Sequence, residues 1–199
     1  GGGTSLQNLL DLIAAGKLDA EVVQVVASRP NIGAIARAEK AGVPVAVAAS
    51  SKAVPAAEYT AAVFDPIRAN RADLVLFAGF LALVDIPADY EGRVMNIHPA
   101  LIPSFCGKGY YGRRVHQAAI DYGVKVSGCT VHFADDTYDT GPIILQRSVP
   151  VLETDDADAL AARVFEAERQ ALPEAVALFA AGRLKIEGRR VRILPADEA

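Results

Sequence analysis

The sequence predicts an α/β protein with three layers, in which helices cover both faces of a mostly parallel sheet. Short β-branched runs alternate with alanine-rich amphipathic stretches along the whole chain, which is the pattern of successive βαβ units. Leu74–Ala78 is apolar at every position, as strands in the middle of a parallel sheet are. Because the 199 residues contain no repeat and no linker, we predict a single domain over residues 1–199.

The first half of the chain supplies alternating helices and strands. Leu6–Ala15 is predicted to be a helix because its leucines and Ile13 fall on one stripe, with Thr4 or Ser5 as the N-cap. The same criteria predict strands at 21–27, 43–48 and 74–78, and helices at 33–41 and 56–69.

The second half begins with a short strand, 93–97, which leads into a loop rich in proline and glycine. The predicted elements after this loop are a helix at 115–122, strands at 126–134 and 143–151, helical sequence within 155–181 and a hairpin at 185–193. An acidic loop joins the two strands at 126–134 and 143–151.

Composition excludes several classes of protein. A content of 52% hydrophobic and 22% charged residues supports a sizeable core and argues against disorder. The net charge of −4 argues against a general nucleic-acid binder. The longest apolar run, Leu74–Val84, is too short to span a membrane, which takes about 20 residues. The two cysteines cannot form a disulfide framework, so we expect a cytoplasmic location.

Three loops have a composition that suggests function: residues 1–5, 96–112 and 135–142. Open α/β sheets bind ligands at the carboxyl ends of their strands. The opening Gly-Gly-Gly-Thr-Ser precedes a helix, so it is either a phosphate-binding turn or a flexible linker.

Asn96-Ile97-His98 closes the strand predicted from residue 93 and runs into Pro99, and residues two apart in an extended segment share a face. An amide and an imidazole placed together offer an oxyanion donor and a general acid or base; packing or capping is the alternative for His98. His116 is expected to be solvated beside two arginines, and His132 to be structural within its strand.

The acidic loop, residues 135–142, holds three carboxylates that could bind a cation, orient an imidazole or solvate a turn. The spacing fits neither an EF-hand nor a zinc site, so we expect no metal. If Asp139 lies near His98, its charge favours the imidazolium.

Gly107–Gly112 matches the letters of a dinucleotide fingerprint, but it does not follow a buried strand and is interpreted as a mobile loop. Cys106 next to it is a candidate nucleophile only if a base is paired with it.

Taken together, NIHPALIPSF, GCTVHF and YDTGPIILQ, with GGGTSLQNLLD before them and ARVFEAE after them, resemble the phosphoribosylglycinamide formyltransferases. The resemblance implies that a formyl group passes from 10-formyltetrahydrofolate, the co-substrate, to the amine of glycinamide ribonucleotide in purine biosynthesis. By the same resemblance Asn96, His98 and Asp139 are the catalytic residues. The formyltransferase fold is implied as well.

The resemblance also implies two sets of binding residues. For the ribonucleotide they are Gly3, Thr4, Ser5, Phe165 and Glu168. For the folate they are Leu81, Ala82, Leu83, Val84, Asp135, Asp136, Thr137 and Tyr138.

The chain departs from the family pattern at two places. The strand that precedes the glycine turn in related enzymes is missing, and the only methionine is Met95, so we expect truncation at the N-terminus. Related enzymes have an arginine near the folate tail, and the corresponding position in this chain is about Ala56. Lys52 is a candidate to replace that arginine.

Two alternative functions are kept, a 10-formyltetrahydrofolate hydrolase and a non-catalytic nucleotide-binding module. The hydrolases usually carry a second histidine where Pro99 stands here. We expect small-molecule substrates, no nucleic-acid or membrane partner, and a monomer or weak homodimer.

Overall fold

The computed structural model describes residues 2–49 and 53–198. These residues form five α-helices and eight strands. The chain divides into two compact units, Gly1–Val94 and Met95–Ala199; the single domain over residues 1–199 stays a prediction. No helix among the described residues is long and apolar enough to cross a membrane.

The first unit alternates helices with short strands. Its elements are α1 (Thr4–Ala14), β1 (Val25–Ala27), α2 (Gly33–Lys40), β2 (Val45–Val47), α3 (Ala56–Ala69) and β3 (Val75–Phe77). β1 and β2 pair in parallel, with Val25 opposite Val45. Both α2 and α3 pack against this strand pair, and α1 packs against α2.

The start of α1 differs from the prediction. The N-cap is Gly3, and neither Thr4 nor Ser5 caps the helix, so that prediction is wrong. Gly3 has φ 74°, a left-handed conformation that favours glycine. A Cβ at Gly3 would lie 2.6 Å from Cα of Ala34. Glycine is therefore required both by the turn and by the close approach of α2.

All but the first residue of β4 (Val94–His98) lies in the second unit, where the strand belongs to a sheet. The other elements are α4 (Arg113–Tyr122), β5 (Val126–Phe133), β6 (Ile143–Pro150), α5 (Ala157–Ala180), β7 (Leu184–Glu187) and β8 (Arg190–Ile193). β4 pairs antiparallel with β5, and β5 pairs antiparallel with β6. β8 lies parallel to β6 and forms the predicted hairpin with β7.

α5 is one continuous helix of 24 residues, with Pro173 inside it. Its N-cap Asp156 accepts hydrogen bonds from the backbone N–H groups of Asp158 and Ala159, as a good N-cap residue does. The helix packs against β5, β6 and α4, and Leu160 and Val164 on it are fully buried. This packing gives β5, and through it β4, a rigid support.

Candidate active site

β4 carries the first two residues of the site. Asn96 and His98 are two apart in this strand and therefore share a face. The antiparallel register places His132 of β5 opposite Asn96, and Thr130 opposite His98. His98 is buried, and Asn96 is half-buried. The predicted pairing of an amide with an imidazole is thus present.

Asp139 brings the third group from the loop between β5 and β6. Its φ of 57° is left-handed, a conformation that aspartate tolerates better than most residues. Oδ1 accepts a hydrogen bond from Nδ2 of Asn96 at 3.1 Å, and Oδ2 lies 3.5 Å from Nδ1 of His98. Oδ2 also accepts the N–H of Gly107 at 2.8 Å. The structure therefore brings the three predicted catalytic residues together.

The hydrogen-bond partners of His98 fix where its protons lie. Nε2 lies 2.9 Å from the carbonyl oxygen of Phe105, and a carbonyl only accepts, so Nε2 carries a hydrogen. Nδ1 of the neutral ring then has a free lone pair, and it faces Oδ2 of Asp139. A proton taken up at Nδ1 would face the carboxylate of Asp139, whose charge stabilises the imidazolium.

Burial decides the charge of His98. Removal from water lowers its pKa, and although Asp139 and the Phe105 carbonyl act in the opposite direction, the pKa stays below its usual value. The carboxylate does favour the imidazolium, as expected, but this effect is smaller than that of burial. His98 of the free protein is therefore mainly neutral at pH 7.

Asp139 remains ionised. Burial raises its pKa, but contacts with His132, His98 and the N–H of Gly107 outweigh that effect, so the pKa lies below the usual 3.8. An ionised carboxylate accepts several hydrogen bonds at once, which is what Asn96 and Gly107 require of it. The site thus holds a negative charge beside a neutral imidazole.

His132 belongs to the site as well, a role that the sequence analysis missed. Its side chain is 2% exposed, and Nε2 lies 3.1 Å from Nδ2 of Asn96. The sequence analysis expected His132 to be structural because it lies in the middle of a predicted strand. The signal that could have found it is the pairing of β4 with β5, which places His132 directly opposite Asn96.

Two backbone groups of the loop after β4 complete the site: the carbonyl of Phe105 and the N–H of Gly107. Thr130 holds the start of this loop, since its hydroxyl donates to the carbonyl of Ala100 and accepts from the N–H of Ile102. No side-chain pattern could have identified the two backbone groups, because every residue except proline carries both kinds.

Two other predicted features of this region can be assessed. The Gly107–Gly112 segment lies beyond the end of β4 at His98 and just before α4, so it does not follow a strand as a dinucleotide fingerprint must. The pKa of Cys106 is raised by burial and by Asp139, so its thiol stays protonated and is not activated as a nucleophile.

His116 is not solvated, and that prediction is wrong. Its side chain is 5% exposed, on the buried side of α4 with Val115 and Ala119. Nδ1 is buried without a hydrogen-bond partner. Burial and the nearby His98 lower the pKa of His116, so the ring is mainly neutral at pH 7.

The predicted phosphate-binding residues Gly3, Thr4 and Ser5 form the first turn of α1 within the first unit. The guanidinium of Arg37 on α2 donates to the carbonyl of Gly2 and to the side chain of Gln7. The start of α1 is thereby tied to α2. Gly1, the first residue of the predicted loop, lies outside the described residues.

Phe165 and Glu168 lie three residues apart on α5, and both are half-buried. Burial raises the pKa of Glu168 to about 7. A carboxyl group with this pKa is partly protonated at neutral pH, so it can donate a hydrogen bond as well as accept one.

The predicted folate residues fall in two loops. Leu81–Val84 follow β3 in the first unit, where Leu81 and Leu83 are exposed and Val84 is buried. In the second unit, Asp135 accepts from the N–H of Thr137 and the hydroxyl of Thr140, which shapes the loop that carries Asp139. Lys52 lies outside the described residues. Among the described residues no group of three or more His, Cys, Asp or Glu is placed to hold a metal ion.

Comparison with known proteins decides the family. A sequence model described as formyl transferase matches residues 1–176. The chain belongs to the formyl transferase family. The "phosphoribosylglycinamide formyltransferase, chloroplastic" of Vigna unguiculata is 40% identical over 178 residues, which are 88% of this chain and 57% of that protein.

Two further similarities are informative. The "trifunctional purine biosynthetic protein adenosine-3" of Drosophila melanogaster is 38% identical over 186 residues, 92% of this chain and 13% of that protein. The crystal structure of glycinamide ribonucleotide transformylase 1 from Symbiobacterium toebii matches with a TM-score of 0.90 and 41% identity, covering 98% of this chain and 91% of that one.

These comparisons confirm the predicted family and the predicted α/β class, an open sheet flanked by helices in the formyltransferase fold. The predicted class of enzyme, a formyl-transferring one, is that of the relatives. The chain spans little more than half the length of the chloroplastic relative.

Proposed function

We propose that this chain transfers the formyl group of 10-formyltetrahydrofolate to the amine of glycinamide ribonucleotide, as a phosphoribosylglycinamide formyltransferase of purine biosynthesis. The observation that carries the proposal is the convergence of Asn96, His98 and Asp139 in one half-buried cluster. Membership of the formyl transferase family and the similarity to enzymes that bear this name support it.

The reaction needs a donor for a developing negative charge. When the substrate amine attacks the formyl carbon, the formyl oxygen gains the electrons of the C=O bond. The amide N–H of Asn96 is the group that we assign to this oxygen. Such a donor contributes about 10²–10³ in rate, because it is oriented before the charge appears.

The reaction also moves a proton, since the amine nitrogen loses one on becoming an amide and the departing folate nitrogen gains one. We assign this transfer to His98 and Asp139. The neutral ring of His98 offers a free lone pair at Nδ1, and Asp139 stabilises the imidazolium that forms. The proton taken from the amine is thus available for the leaving group, and no nucleophile on the protein is required.

The remaining predicted residues are assigned to binding. Gly3, Thr4 and Ser5 would hold the phosphate through the N–H groups at the start of α1. Phe165 and Glu168 would contact the rest of the ribonucleotide. Leu81–Val84 of the first unit and Asp135–Tyr138 of the second are each assigned to contacts with the folate.

The two cysteines bear on the location of the protein. Cys106 and Cys129 are free thiols and not partners in a disulfide, which fits a reducing compartment. We propose a cytoplasmic protein, a monomer or weak homodimer, that has small-molecule partners and needs neither nucleic acid nor a membrane.

One assay tests the proposal against its alternatives. The full chain is incubated with 10-formyltetrahydrofolate, with and without glycinamide ribonucleotide, and tetrahydrofolate release and amine formylation are followed. We expect formylation that depends on the amine substrate. Equal release without the amine would indicate a hydrolase, and binding without turnover would indicate a non-catalytic module; either result would contradict the proposal.

A further inference from the structure

The side-chain amide of Asn96 has two hydrogens, and both are engaged. One points to Oδ1 of Asp139 and the other to Nε2 of His132, each at 3.1 Å. Nε2 of His132 lies 3.7 Å from Oδ1 of Asp139, beyond hydrogen-bond length, so the donor that this carboxylate oxygen receives is the amide of Asn96. An oxygen that only accepts requires Nδ2 rather than Oδ1 of Asn96 on this side of the amide. His132 therefore has to supply an acceptor.

The backbone provides that acceptor by fixing the tautomer of His132. Nδ1 lies 2.7 Å from the carbonyl oxygen of Phe133, so Nδ1 carries the hydrogen. In the neutral ring Nε2 is then an acceptor, and it faces the amide of Asn96. A charged ring would place an N–H of His132 against an N–H of Asn96 at the same distance.

We propose that His132 is a positioning residue for Asn96. Its Nε2 and the carboxylate of Asp139 together hold the amide with its donors pointing in one direction, because rotating the amide by 180° would set an oxygen against both acceptors. This inference rests on the proposed function, in which Asn96 donates to the formyl oxygen.

The neutral acceptor also explains how the donor becomes available during the reaction. An oxygen that gains negative charge is a stronger acceptor than a neutral imidazole nitrogen. The N–H that points to His132 in the free protein can therefore be shared with the formyl oxygen, while the N–H on Asp139 keeps the amide in place. His132 is 1% exposed, so it acts through Asn96.

Two substitutions separate this role from simple packing. His132→Asn places an amide nitrogen where Nδ1 stood, which keeps the donor for the Phe133 carbonyl but removes the acceptor for Asn96. His132→Gln places an amide oxygen near the position of Nε2, which keeps an acceptor but gives up the anchor to Phe133. Each variant thus keeps one of the two hydrogen bonds of the His132 ring and removes the other.

We expect kcat to fall about 10²-fold in His132→Asn, as for a catalytic group displaced by about 1 Å, with the KM of both substrates within about twofold of wild type. His132→Gln should recover most of kcat. Near-UV circular dichroism at the assay temperature shows whether each variant is folded. A folded His132→Asn protein with wild-type kcat, or a His132→Gln protein slower than His132→Asn, would overturn the role.

A second measurement needs neither substrate nor variant stability. Long-range 1H–15N correlation spectra of the full chain report the tautomer of each of its three histidines, and we expect His132 to be neutral with its hydrogen on Nδ1. A hydrogen on Nε2 would refute the inference even if the chain proved to have no transferase activity. Absence of formyl transfer by the wild-type chain, with the expected tautomer, would instead refute the proposed function.

Discussion

Nδ1 of His98 and Oδ2 of Asp139 lie 3.5 Å apart, in side chains that are 5% and 9% exposed. This distance is longer than an ordinary hydrogen bond, so the carboxylate acts on the ring mainly through its charge. The carboxylate keeps its charge, while burial keeps the imidazole neutral. The pair is therefore a proton acceptor that charges only when the reaction delivers a proton.

Replacement of Asp139 by asparagine tests this pairing. Asparagine also tolerates the left-handed φ at position 139, so the backbone should be kept while the charge is removed. Because Asp139 opposes the effect of burial, we expect the pKa of His98 to fall further and kcat to drop about a hundredfold. NMR titration of the His98 ring and steady-state kinetics measure the two effects.

Asp121→Asn is the matched control, because Asp121 is an exposed carboxylate on α4. It should leave both the His98 titration and kcat unchanged. An Asp139→Asn protein that titrates His98 like wild type would show that the carboxylate does not influence the ring.

Acid should destabilise the protein because His98 and His116 are buried in their neutral forms. Burial holds both pKa values below the usual 6.5, so the unfolded chain binds more protons than the folded one once the pH falls below about 6.5. The contribution of the neutral rings to the free energy of unfolding is therefore at its full value above pH 6.5. It decreases as the pH falls toward the pKa values that His98 and His116 have in the folded chain.

Because Glu168, with a pKa of about 7, titrates over the same range, urea unfolding is measured in a Glu168→Gln background at pH 7.5, 6.5 and 5.5. There the midpoint should fall as the pH falls. His116→Gln should flatten this dependence, because glutamine does not titrate. The variant loses no hydrogen bond at Nδ1, which has no partner in the wild-type protein. A midpoint independent of pH over this range, or an unchanged slope in the variant, would contradict the assignment of buried neutral rings.

The sequence predicted the parts of the site that follow from side-chain patterns. Alternation along a strand placed Asn96 and His98 on one face, and the resemblance to a family identified Asp139 in a loop some forty residues later. The contacts of Phe105 and Gly107 could not be predicted, because they come from backbone groups whose positions depend on the path of the whole loop.

Burial was predicted less well than element type. His116 follows two arginines, which suggested a solvated face, but the apolar face of α4 that contains Val115 and Ala119 also includes His116. The predicted strand at 21–27 shortens to Val25–Ala27, because pairing with β2 extends over only three residues. Periodicity indicates the type of an element, whereas its length depends on the partner strand.

Asn96→Ala should lower kcat by about 10²–10³ and change KM far less. The amide is assigned to an oxygen whose charge develops only in the transition state, so its loss costs little in the binding of the ground state. Steady-state kinetics with each substrate varied in turn measure both constants. A variant with raised KM and wild-type kcat would assign Asn96 to substrate binding instead.

Glu168 should make the protein less stable in alkaline solution. Its pKa is about 7 in the folded chain, against an ordinary value of 4.5. Below pH 4.5 the group is protonated in both states, and between 4.5 and 7 only the unfolded chain ionises. The unfolded chain therefore binds fewer protons in this window, and stability falls as the pH rises, by on the order of 3 kcal/mol.

Glu168→Gln removes this dependence, because the amide is neutral at every pH. We expect its Tm to match that of wild type near pH 4.5 and to exceed it by roughly 5–10 °C at pH 8.5, as measured by differential scanning calorimetry. Glu166→Gln is the control: Glu166 lies on the same helix but is 65% exposed and pairs with Arg169, so its Tm difference should stay small and independent of pH. A Tm difference for Glu168→Gln that does not grow between these pH values would contradict the raised pKa of Glu168. It would mean that water reaches the carboxyl group in the folded chain.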